Sequence, residues 1–210
     1  MVEFDPEQHA YTVKGFRVPS VTQVINQYQK VTICGGAYMV DVFTGATFDA
    51  SLFERAGNAG TALHKGTELL LTGETLDWSA LAPQLVAPLE NFAAFLEDFP
   101  MKPLMIETPM YSQKWGYAGT VDWIVEMFGK RWLIDLKTGI VSKMAGVQTS
   151  AYEKLFRENT GWTGQLKRAV LHLPKDGGKV KLIEQGNPDD WEFFKARLTT
   201  YNFLNGRISG

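Results

Sequence analysis

Apolar positions alternate with polar ones over the first 19 residues, break at Lys14-Gly15 and resume through Phe16-Arg17-Val18, which predicts a small hairpin. Pro19-Ser20 then opens a helix. Ser20 and Gln23 stand at capping-box spacing, and Val21, Val24 and Ile25 supply its apolar face. Residues 31–50 keep no period and carry glycine punctuation, so they read as either a mobile loop or a short irregular arch. Helical spacing returns from Ser51 to about Leu71, weakened by Gly57 and Gly60, and again over about 83–97, between the polar turn TGETLD and Pro100. Strands are predicted over 103–111, 117–127 and 131–137, then a helix at about 144–159. Strands near 167–173 and 179–184 flank the turn KDGG, and a last helix near 188–204 is apolar at Trp191, Phe194, Leu198 and Tyr201. This order predicts one α/β (α+β) domain over 1–210. A central mixed sheet with an antiparallel meander is flanked by helices, and the hairpin and a helical insertion occupy about 1–100.

One strand pair breaks the apolar pattern. In RWLIDLK the residues Leu133, Asp135 and Lys137 share a face, and on the strand before it Asp122, Ile124 and Glu126 share one, opposite Val121, Trp123 and Val125. A two-residue turn at Gly129-Lys130 pairs Phe128 with Arg131, hence Ile124 with Asp135 and Asp122 with Lys137. Both aspartates and the lysine then meet on one face; a slip of one residue would separate the aspartates. Two converging carboxylates repel unless a cation lies between them, and hard oxygen donors suit Mg²⁺ or Mn²⁺. The plainer alternative is a structural Asp122–Lys137 cross-strand ion pair.

Composition narrows the classes. The chain has 210 residues, a formal charge of −2, 45% hydrophobic and 21% charged residues, which fits one sizeable core and leaves room for a local basic face. Cys34 is the only cysteine, which excludes an internal disulfide, a thiolate zinc site and a cysteine-held iron–sulfur cluster. The opening MVEFDPEQHAYTVKG has neither the basic nor the apolar region of a signal peptide, and no run of about 18 apolar residues predicts a membrane span. A reducing, intracellular setting is expected.

Four motifs occur in series: His64 in GNAGTALHKGTELL, Gly119-Thr120-Val121-Asp122, Asp135-Leu136-Lys137, and Gln148-Thr149-Ser150-Ala151-Tyr152. Together they resemble the PD-(D/E)XK nuclease superfamily, specifically its RecB-like exonuclease branch, over about residues 60–155. The opening FDPEQHAYTVKGFRVPSVTQVI is similar to the N-terminal hairpin of stand-alone phage and mitochondrial exonucleases. The resemblance implies a restriction-endonuclease-like core and an Mg²⁺- or Mn²⁺-dependent deoxyribonuclease, most simply an exonuclease yielding 5′-phosphates in recombination, repair or phage DNA processing. Asp122, Asp135, His64 and the backbone carbonyl of Leu136 would be metal ligands. Lys137 would position or activate the attacking water, and Gln148 and Tyr152, four apart on one helix face, would orient the lysine and contact the DNA backbone. DNA, single- or double-stranded, is the expected partner, with a single-strand annealing protein from family context; the expected place is the cytoplasm of a bacterial or phage-infected host. An endonuclease of restriction or junction-resolving type and an inactive DNA-binding module are the alternatives, as is a hydrolase of a small phosphorylated substrate.

Supporting positions carry two readings each. Glu68, one turn beyond His64, and Glu107, on the strand before the aspartate hairpin, are candidates to buttress the metal ligands from behind, or else solvated acids. Gly116 and Gly119 either admit a DNA backbone or mark a bulge. Arg55, Lys114, Trp115, Tyr117 and Thr138 are candidate DNA contacts, Trp115 equally a core residue. Lys167 and Arg168, with Lys175, Lys179 and Lys181, form either a backbone-tracking face or a solvated edge.

Overall fold

The computed structural model describes residues 2–6, 8, 10–26, 28–33, 36–41 and 47–207, and over 28–31, 33, 36, 41 and 47–59 the backbone course alone. The opening hairpin is a three-stranded antiparallel meander of β1 (Val2–Asp5), β2 (Ala10–Val13) and β3 (Phe16–Val18). Its second turn places Lys14 and Gly15 at φ 51° and 81°, the paired left-handed geometry that matches strand twist. Ser20 caps α1 (Val21–Ile25) with the reciprocal bonds of a capping box to Gln23, and Val21, Val24 and Ile25 are buried.

The stretch expected to be a loop or arch instead contains β4 (Tyr28–Ile33), β5 (Gly36–Asp41) and β6 (Thr47–Asp49), a second antiparallel sheet. The apolar period that marks a strand on a core is missing there, which is why the pattern did not reveal them. Cys34 lies outside the described residues. Next come α2 (Ala50–Thr72), a 3-10 turn at Trp78–Ala80, and α3 (Pro83–Asp98).

The main sheet follows: β7 (Lys102–Ser112), β8 (Tyr117–Met127), β9 (Lys130–Lys137), then α4 (Met144–Thr160), β10 (Leu166–His172), β11 (Lys181–Gln185) and α5 (Asp190–Leu204). The strand order is β11-β10-β9-β8-β7. Only β9 and β10 run parallel, because α4 carries the chain back across the sheet between them. The class is thus α/β with a mixed central sheet. Among the described residues no helix is long and apolar enough to cross a membrane.

Each face of this sheet has its own core. Val21, Val24, Tyr117, Ile124, Leu133, Leu155, Phe156 and Phe194 join α1, α4 and α5 on one side. Leu63, Leu89, Phe92, Trp123, Val125, Ile134 and Leu136 join α2 and α3 on the other. The strands do not keep one alternation throughout. Val121 packs in the first core and Trp123 in the second, although residues two apart normally share a face. Across on β7, Met110 belongs to the first core and Ile106 to the second. Both reversals bracket Glu107 and Asp122, where the ladder skips a step between Ile106↔Trp123 and Thr108↔Val121. Glu107 has φ 42°, a left-handed conformation that turns the strand over and costs a non-glycine residue energy. Val121 therefore does not sit on the Trp123 side as the simple alternation predicts.

The hairpin turn also differs from expectation. Phe128 and Gly129 are its central residues, at φ 53° and 66°, and Met127 pairs with Lys130. Ile124 accordingly faces Leu133 rather than Asp135, a shift of two residues. An even shift leaves Asp135 and Lys137 on their predicted face, toward the cleft.

Candidate functional site

A cleft of about 540 Å³ opens where the strands turn over, with β8 and β9 as its floor, α2 as one wall and the N-terminal meander with α1 as the other. Its volume is typical of a small-ligand site. Asp122, Asp135, Lys137, His64, Glu107 and Glu68 all line it, as do Gln148 and Tyr152. Both aspartates thus face one cavity.

The ionic contacts differ from the cross-strand pair considered above. Lys137 Nζ lies 2.8 Å from Asp135 Oδ2, two residues back on its own strand. Asp122 Oδ2 instead accepts the Leu136 N–H at 2.8 Å. The N–H and C=O of one strand residue point the same way, so that bond also directs the Leu136 carbonyl toward β8. Asp135 is fully buried, and its Oδ1 has no hydrogen-bond donor among the described residues, while its Oδ2 pairs with the Lys137 ammonium. A buried carboxylate oxygen left this way is costly unless a cation completes it.

Burial pushes the Asp135 carboxyl up to about 6; the Lys137 charge pulls against this and the Asp122 charge adds to it. Burial likewise raises Asp122, opposed by His64 and reinforced by Glu107. For Lys137 burial acts downward, yet the charges of Asp135 and Asp122 outweigh it and the ammonium is retained. His64 is raised too: burial opposes, but the Glu107 contact and the Asp122 charge prevail. The whole cluster holds excess negative charge.

His64 Nδ1 stands 3.7 Å from Glu107 Oε1. One ligand atom each from His64, Glu107 and Asp122 falls within 4.8 Å of the others. That set, with Asp135 lining the same cleft, fits a hard divalent cation: carboxylate oxygens and one imidazole suit Mg²⁺ or Mn²⁺. Glu107, expected behind the ligands, instead falls in one 4.8 Å group with His64 and Asp122, while Asp135 is engaged with Lys137. The left-handed turn at Glu107 brings its carboxylate there, and no sequence period encodes that turn.

On α4, Gln148 Nε2 donates to Tyr152 Oη at 3.0 Å, and both residues are buried. Burial and the nearby aspartates raise the Tyr152 phenol well above its ordinary range, so it stays a neutral donor. Gly119 makes room for this ring: a Cβ there would lie 2.7 Å from Tyr152 Cε1. Gly119 thus leaves the space that the Tyr152 ring fills.

The remaining candidates scatter. Glu68 lines the cleft but pairs with Lys65 at 2.8 Å. Thr138 abuts α2, where a Cβ on Gly60 would sit 3.5 Å from its Oγ1. The side chain of Arg55 lies outside the described residues. Tyr117 is fully buried and donates to the Ala151 carbonyl at 2.9 Å, which corrects its reading as a DNA contact. Trp115 packs edge-on against Trp191 at 5.3 Å, with the Lys114 ammonium 5.3 Å from its ring. Lys167 pairs with Glu184 at 2.7 Å and lies over Trp132. The Arg168 guanidinium is turned inward onto Glu153, Asp190 and the Gly146 carbonyl. Neither Lys167 nor Arg168 lines the cleft. The KDGG turn is clasped to α3 by Asn91, which donates to the Gly177 carbonyl at 2.6 Å.

Sequence reasoning did not single out Phe4, Tyr11 and Thr120, which also line the cleft. Aromatic residues on short strands read as core, and nothing local distinguishes these. No protein-family model and no curated protein matches the chain.

Proposed function

We propose that the chain is a metal-dependent deoxyribonuclease, acting as an exonuclease on DNA phosphodiester bonds. One observation carries this reading: Asp122 and Asp135 face a single cleft with Lys137, and Asp122 lies inside ligand reach of His64 and Glu107. His64, Glu107 and Asp122, with Asp135 and the Leu136 carbonyl beside them, would hold an Mg²⁺ or Mn²⁺ ion. When bound, such an ion neutralises charge on a phosphate and eases deprotonation of water.

The chain's own groups do the rest. Lys137 remains an ammonium, held by Asp135, and offers donors to an attacking water and to the charge growing on the phosphate oxygens. Asp122 is locked by the Leu136 amide, so its second oxygen keeps one direction. Gln148 and Tyr152 brace each other on the α4 side of the cleft, where the neutral phenol and the amide suit contacts to phosphate oxygens.

The test is digestion of end-labelled linear DNA and of covalently closed circles, with Mg²⁺ and with EDTA. The expected result is Mg²⁺-dependent loss of the linear strand with release of 5′-phosphorylated nucleotides, and intact circles. Cut circles would point to an endonuclease. Binding without any cleavage would leave a DNA-binding module.

A further inference from the structure

One wall of the cleft carries hydroxyls in pairs. Tyr11 Oη and Thr120 Oγ1 stand 2.7 Å apart, and Ser20 Oγ and Thr22 Oγ1 3.0 Å apart; all four residues line the cavity. The pairs are neighbours, because Ser20 lies beside Ala118 of β8, whose N–H donates to the Pro19 carbonyl at 2.9 Å. Asp122, Thr120 and the Ser20–Ala118 bridge thus follow one another at two-residue steps of β8, each about 7 Å. Such a step is comparable with the distance between successive phosphates of a nucleic-acid strand.

Counting protons shows what the pairs leave over. A hydroxyl has one proton to give and two lone pairs. The bond inside each pair uses one of its two protons, and the Gln23 N–H that Ser20 Oγ also accepts takes a lone pair. Each pair therefore keeps one donor with no acceptor among the described residues. The ammonium groups of Lys137 and Lys65, which line the same cleft, are each held by a carboxylate at 2.8 Å. A clasp between the meander and β8 needs the bond inside a pair and nothing more; the spare proton beside the carboxylates is what a clasp does not need.

We propose that the Tyr11–Thr120 pair holds the backbone phosphate next to the scissile one, and the Ser20–Thr22 pair the phosphate beyond it. This rests on the nuclease reading above and adds how the substrate is gripped: one strand is held by its phosphodiester chain, through neutral donors, with its bases unread. Ser, Thr and Tyr hydroxyls serve this purpose generally, fixing the register of a strand without reading its sequence.

The experiment is single-turnover digestion in Mg²⁺ of end-labelled DNA, in the strand form that wild type digests, with one linkage at a time changed to a methylphosphonate. That change replaces one phosphate oxygen by a methyl group. With wild type, the half-saturating enzyme concentration should rise about tenfold when the linkage next to the one cut is changed, and similarly for the linkage beyond, at an unchanged maximal rate. Either partner can be the donor inside a pair, so Tyr11→Phe and Thr120→Val are combined. The double variant should show the same rise on unmodified DNA and no further rise when the adjacent linkage is the modified one. Thr22→Val should behave likewise at the next linkage; Thr22 is exposed, so this variant carries the test if the double variant melts early. Rises that multiply on the modified strands would overturn the proposal, as would wild-type half-saturation in the variants. A fall in maximal rate alone would make the pairs a clasp and overturn it too. If wild type digests unmodified DNA and neither linkage matters, the phosphate contacts alone fall. If it digests nothing, the nuclease reading fails and takes them with it.

Discussion

Two buried ionic clusters sit on the α4 side of the sheet, and they are built in opposite ways. Around Arg168, one guanidinium meets Glu153 at 3.2 Å and Asp190 at 3.3 Å, and donates to the Gly146 and Asn187 carbonyls. Glu153 has a second cation in Arg157, at 2.9 Å. Charges there are matched, and α4, β10 and α5 are pinned together. Around Lys137, one ammonium faces Asp135, with Asp122 and Glu107 nearby, and Asp135 Oδ1 is left with no donor among the described residues. The matched cluster is architecture. We read the Lys137 cluster as the site because it lines the cleft and its carboxylates outnumber its ammonium, whereas the Arg168 cluster, which also leaves Asp190 Oδ2 without a donor among the described residues, does not line it.

That contrast breaks most sharply under substitution. Lys137→Ala and Asp122→Ala should each lower Mg²⁺-dependent digestion by about 10³-fold in protein that still folds, measured by single-turnover cleavage and circular dichroism. Arg168→Ala should do the reverse. Stranding Glu153 and Asp190 should cost about 3–5 kcal/mol in urea unfolding, while the folded fraction cleaves normally. If Arg168→Ala stays stable and loses activity, the two clusters have been assigned the wrong way round.

Titration sharpens the difference. Asp135 goes from 3.8 to about 6 on folding, so between those values the folded chain holds more protons than the unfolded one. Stability of the metal-free protein should therefore fall as pH rises from about 4 to about 6, by about 3 kcal/mol in all. The raised Asp122 and His64 act in the same direction. Mg²⁺ competes with those protons, so the rise in melting temperature it causes should be small at pH 5 and large at pH 8. An equal rise at both would remove the carboxylates from the metal site.

Smaller effects probe the α4 wall. Gly119→Ala drives a methyl against the Tyr152 ring and against Val21 and should cost about 1–3 kcal/mol, read from denaturant midpoints. Tyr152→Phe leaves the buried Gln148 amide without its partner and should cost about 1 kcal/mol.

Much of this molecule is written in its local pattern. Two-residue and helical periods locate the strands of the main sheet and the long helices, and the Ser20–Gln23 spacing marks α1 because a capping box is closed by residues three apart. The faces of Asp135 and Lys137 are legible for the same reason: alternation is a property of neighbouring residues. Residues 28–49 escaped because their strands lack that alternation.

What the sequence determined by itself is the order of elements, the apolar faces and the set of groups available for chemistry. Tertiary structure decided who meets whom. Lys137 takes Asp135 and not Asp122, Glu107 swings into ligand reach through one left-handed residue, Tyr117 disappears into the core, and Arg168 turns inward. Partner choice among charges depends on a few ångströms and on the energy of burying each one. Those quantities exist only once distant strands and helices have packed.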